Sequence, residues 1–114
     1  METLHRPDKD LISRILNEVG FEERIVGYQV RERSGPAMKT MYSFKEVVDF
    51  LNDRLPYIDF KELEKWVRNV MKDEQVALKI SEIIGQEDND FDRTKRIRVL
   101  MGERLRQCKN EESP

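Results

Sequence analysis

The chain offers one histidine, His5, and one cysteine, Cys108, for nucleophilic, acid–base or metal chemistry. A general base has to be held within a fraction of an ångström of the proton it takes. His5 precedes every predicted element, so it is not expected to serve as one. Cys108 falls on the apolar stripe of the last predicted helix, near its C-terminal end. The helix dipole there disfavours a thiolate, whereas reactive thiols favour N-termini. A packing role is expected. With one residue of each type, a disulfide framework within the chain and a zinc cluster built on Cys and His are both excluded.

The acidic run 87–92 places Asp88, Asp90 and Asp92 at the 1, 3, 5 spacing of a calcium loop. Such a loop also needs Gly at position 6 and Glu at position 12. Arg93 and Val99 stand there, so a solvated loop whose last Asp caps a helix is expected. The glycine patterns that cradle phosphate are absent from the sequence. No catalytic residue, cofactor or metal is therefore predicted.

Charge is more informative. The chain carries 21 basic and 23 acidic residues in 114, for a net charge of −2. The bulk balance points to no polyanion, but its distribution is uneven. Residues 93–109 hold seven basic residues against the single acid Glu103, and residues 24–39 hold four against Glu32. The middle helices are acidic. Lys95, Arg98, Arg106 and Lys109 fall within roughly 80° of arc at about 100° per residue, beside the core face of the last helix. These four, with Arg31 and Arg33 of the hairpin, are the predicted partner-binding residues. Arg104 lies at the centre of the core face, where its stem can snorkel.

The elements that position these residues follow from period and capping. Leu11, Ile12, Ile15, Leu16 and Val19 form one helical stripe over Asp8 to Val19, with Asp8 as N-cap and Gly20 as stop. Val26, Tyr28 and Val30, then Met38, Thr40 and Tyr42, alternate around Ser34-Gly35-Pro36, predicting a β-hairpin. A lone hairpin is marginal in water, so one face must pack on helices. The even-numbered apolar set is the expected buried face. Ser43-Phe44-Lys45-Glu46 is a capping box that opens a helix ending before Pro56. Asp59 repeats the device with Ile58 and Leu63 as a hydrophobic staple. Asp73 caps a further stretch to Gly85. Residues 59–84 read equally as one bent helix or two. The last helix spans about Asp92 to Lys109.

A mainly α fold is expected: one domain over 1–114, a bundle of four or five helices with a small β-hairpin between the first two, and 1–7 and 110–114 frayed. No signal segment or apolar run predicts a membrane, and the lone Cys reads as a free thiol, so a cytoplasmic location is expected. The function expected is a non-catalytic interaction or regulatory module. Its partner would be a protein with an acidic surface, or a second copy in a homo-oligomer. The alternative is a nucleic-acid-binding domain using hairpin 24–39 and helix 93–109. The strand–turn–strand–helix run from Arg24 to Leu55 partly resembles the DNA-binding hairpin domains of the integrase arm-binding type. It covers under a third of the chain and has two candidate strands where those domains have three, so it does not place the chain in that family.

Overall fold

The computed structural model describes residues 4–31, 35–54 and 56–112. Among them lie five α-helices and a small antiparallel sheet: α1 Lys9–Leu16, β1 Ile25–Arg31, β2 Gly35–Met41, α2 Phe44–Leu51, β3 Pro56–Tyr57, α3 Phe60–Asn69, α4 Glu74–Gln86 and α5 Asp90–Glu112. The fold is mainly α, as the periodicity predicts.

Capping fixes where the helices begin. Asp8 accepts from Leu11 N at 2.8 Å, and Ser43 Oγ accepts from Glu46 N at 3.1 Å. Glu46 returns the contact, but to Tyr42 N and the Ser43 hydroxyl. Asp59 Oδ1 accepts from Lys61 N and Glu62 N, and Asp73 Oδ1 accepts from Val76 N. Each cap occupies at least one of the donors that a helix start leaves without an internal partner. The start of α5 differs from expectation. Asn89, not Asp92, takes the capping bond, accepting from Asp92 N at 2.9 Å.

Helix ends are less legible. α1 stops at Leu16, and α2 stops at Leu51, four residues before Leu55. Pro56 does not end a helix; it opens β3. Residues 59–84 form two helices, because Lys72 adopts a left-handed φ of 61° between α3 and α4. Asp73 N then donates back to Val67 O at 3.1 Å.

α5 is the spine, packing against α1, α2 and α4, while α3 packs on α4. Ile97, Met101, Leu105 and Cys108 of α5 are buried in one core cluster with Ile15, Phe44 and Ile80 among others. Of the ends expected to fray, residues 4–7 lie against the core, with Leu4 and Pro7 buried, and residues 110–112 continue α5. Residues 1–3 and 113–114 lie outside the described residues.

The sheet has the order β2-β1-β3, with β2 at one edge. Arg31 pairs with Gly35, so Gly35 and Pro36 belong to β2 and not to the turn; Ser34 lies outside the described residues. Gly35 has a φ of 72°, which glycine adopts without strain. Pro36 is tolerated because β2 is an edge strand.

The expected orientation of the hairpin is reversed. Ile25, Gly27 and Met41, of the odd-numbered set, are buried, whereas Tyr28, Val30 and Met38 are exposed. The cause is local sterics. A Cβ on Gly27 would come within 2.7 Å of the Phe50 ring, so α2 lies on the sheet at the residue without a side chain.

Candidate functional site

Two surfaces hold the residues that sequence and structure single out. The first is the outer face of the sheet. Tyr28 of β1 stands directly opposite Met38 of β2 on one side and Tyr57 of β3 on the other. Residues paired across a ladder point to the same face. Met38, Tyr28 and Tyr57 therefore form one row across all three strands. Val30 and Pro36 form the next row toward the hairpin tip, and Val26 and Thr40 the next row the other way. Tyr28 is 41% exposed, Val30 48%, Tyr57 55% and Met38 66%. None of these seven side chains is charged. Sequence reasoning found the hairpin but assigned this face to the core, because the even set is the more apolar one. The available signal was Gly27, whose missing side chain marks the face a neighbour can approach.

The second surface is the basic stripe. Lys95, Arg106 and Lys109 are exposed and Arg98 is half-buried, all along α5. Lys95, Arg98 and Lys109 make no ion pair with a described residue. Arg106 pairs with Glu103 one turn away at 2.5 Å, which holds its guanidinium above the ordinary arginine value. Other cations of α5 are spent within the chain: Arg93 pairs with Asp90, and Arg96 with Glu87. Arg33 lies outside the described residues, and Arg31 is described in its backbone alone. The main packing partners of α5 are α1, α2 and α4, whereas β1 packs chiefly against β2 and β3.

Arg104 does not snorkel. It is 2% exposed and sits against Asp73, itself 1% exposed. Its Nε donates to Asp73 Oδ2 at 2.9 Å, and one terminal nitrogen reaches Asp73 Oδ1 at 3.4 Å and Gln75 Oε1 at 2.9 Å. The other donates to His5 O at 2.6 Å and Gln107 Oε1 at 2.9 Å. A guanidinium has five N–H donors; here each has an acceptor. The cluster is structural: it clamps residues 4–7 onto α4 and α5. It also fixes the backbone of His5, whose N donates to Gln75 Oε1 at 2.8 Å, while the residue as a whole stays exposed.

The remaining chemistry-capable residues are accounted for by packing. Burial pushes the Cys108 thiol up to about 11, against an opposing pull from Arg104. Because α5 runs on to Glu112, desolvation and not the helix terminus is the cause. Trp66 is buried and its Nε1 donates to Glu23 O at 2.7 Å. In the acidic run, Asp90 holds Arg93 and Asp92 accepts from Asn89 Nδ2.

No protein-family model, curated protein or solved structure matches the chain. The functional reading therefore rests on these surfaces.

Proposed function

We propose that this protein is a non-catalytic interaction module, working in the cytoplasm, that contacts another polypeptide through the outer face of its sheet. One observation carries the reading. Tyr28, Val30, Met38 and Tyr57 are large, apolar, exposed and contiguous in register. Scattered exposed apolar residues are ordinary on a folded surface, whereas a contiguous patch marks a contact site. Tyr and Met are also enriched at protein interfaces. The free, buried thiol of Cys108 supports a reducing compartment, and no helix among the described residues is long and apolar enough to cross a membrane.

A photo-crosslinking side chain at position 38, activated in the producing cell, tests the proposal. Adducts to a polypeptide are expected at 38 and not at Lys65, an exposed position on α3. Adducts equally abundant at both positions, or at neither, would refute it.

A second reading is favoured by one specific feature: Lys95, Arg98 and Lys109 lie along one helix without an ion pair to any described carboxylate. Such a stripe fits an acidic partner surface or a nucleic-acid backbone. Titration with duplex DNA at two salt concentrations separates these. Phosphate contacts give a slope of log K against log salt of about −0.9 each. A salt-insensitive or absent interaction removes the nucleic-acid reading.

A further inference from the structure

Among the described residues, the outer face of the sheet carries no charge. Charged residues make up 39% of the chain, yet Val26, Tyr28, Val30, Pro36, Met38, Thr40 and Tyr57 are uncharged across three strands. A partner chosen by charge would find no group here to pair with. A two-fold contact has the opposite requirement. Each residue near the axis meets its own copy, so any charge there repels itself, and a neutral, apolar patch is the composition that satisfies it.

Shape and packing agree. One face of the sheet meets α2 at the close approach of Phe50 to Gly27, with Ile25 and Met41 buried beside it. On the other face Tyr28, Val30, Met38 and Tyr57 stay exposed, so among the described residues it lacks the second layer that sheets ordinarily acquire. Two such faces packed together would make a four-layer arrangement, helix–sheet–sheet–helix, with the sheets about 10 Å apart. Pro36 lies in edge strand β2 and has no N–H to offer an added strand. That favours contact through the face over contact through the edge.

We infer that the uncharged face of the sheet packs against the same face of a second copy of this chain. The inference rests on the sheet face being a contact surface and names its occupant. The four most exposed side chains offer on the order of 400 Å² per copy, given 150–250 Å² for a whole aromatic side chain. With the flanking residues, a dimer buries about 1,000 Å² in total, the lower end of specific interfaces. Association is therefore expected in the micromolar range and should respond to concentration.

Sedimentation equilibrium of the full chain tests this, from about 1 μM to several hundred μM. The mass should rise from 13.7 kDa toward twice that value. Met38→Lys places two like charges across the contact and should weaken association about a hundredfold or more. Its melting temperature should stay within a degree or so at low concentration, because Met38 is exposed. Tyr57→Gln, a milder change, should weaken association in the same direction and serves if Met38→Lys does not fold. Leu78→Lys, on the exposed side of α4, should change nothing. A wild-type chain that stays monomeric throughout overturns the inference, as does a dimer that Met38→Lys and Tyr57→Gln leave intact. The crosslink at position 38 separates the two layers of argument. Adducts to other polypeptides without self-adducts end the self-association inference while the contact surface stands. No adduct at all ends both.

Discussion

Removing Arg104 should cost this protein a large share of its stability. Arg104→Ala deletes a side chain that is 2% exposed and leaves Asp73, 1% exposed, without its countercharge. Asp73 Oδ1 would keep its bond from Val76 N, but Oδ2 would lose the 2.9 Å contact with Nε. His5 O, Gln75 Oε1 and Gln107 Oε1 would each lose a donor. Breaking a buried ion pair from one side costs about 3–5 kcal/mol, because the survivor stays desolvated. Domains of this kind are stable by about 5–15 kcal/mol in all, so about a fifth or more is at stake. Urea unfolding followed by the fluorescence of Trp66, which is buried in α3, would read the loss directly. The variant should also speed amide exchange at His5, whose N–H is held by Gln75.

The source of the cost can be isolated. Arg104→Met combined with Asp73→Asn removes both charges, while Asn keeps an oxygen for Val76 N. If the penalty comes from an uncompensated buried carboxylate, the double variant should be more stable than Arg104→Met alone by about 1 kcal/mol or more. A loss below about 1 kcal/mol for Arg104→Ala would instead place the pair in the range of a solvated surface bridge. Strict additivity in the double variant would mean that the penalty does not come from the uncompensated carboxylate.

Other outcomes follow from single features. The Cys108 thiol is pushed up to about 11 in the folded chain, above its unfolded value. Its stabilising effect is therefore complete below about pH 8.5 and should be lost as pH rises toward 11, by roughly 3 kcal/mol. Unfolding of wild type and Cys108→Ala from pH 8 to 11 should converge accordingly, and a pH-independent difference would contradict this. Gly27→Ala drives a methyl against the Phe50 ring, at 2.7 Å, and toward Tyr57 O, at 3.2 Å. A loss of about 1–3 kcal/mol is expected from overpacking, and an unchanged denaturation midpoint would mean α2 lies elsewhere. Lys72→Gly relieves a left-handed φ of 61° at an exposed residue and should raise stability by about 0.5–1 kcal/mol in the same assay; a decrease would mean that the Lys72 side chain contributes more than the strain costs.

What the sequence determined by itself is what is encoded within a few residues. Asp8, Ser43, Asp59 and Asp73 start helices because a short polar side chain reaches an N–H only two or three residues on. The stripe Ile97, Met101, Leu105 and Cys108 was legible because helical period alone puts those residues on one face. Which face of the hairpin is inside was not legible. Period two separates two sets of side chains but does not say which one a helix covers. The more apolar set lost to the one containing Gly27, because Phe50 needs that space, and the contact joins residues of different elements. The third strand escaped for a similar reason. Pro56–Tyr57 is too short to show a period and exists through its pairing with β1. Arg104 and Asp73 are 31 positions apart, and only the packing of α4 on α5 brings the two charges together. That same tertiary arrangement turns an expected core strand into an exposed apolar surface, the feature on which the functional reading now rests.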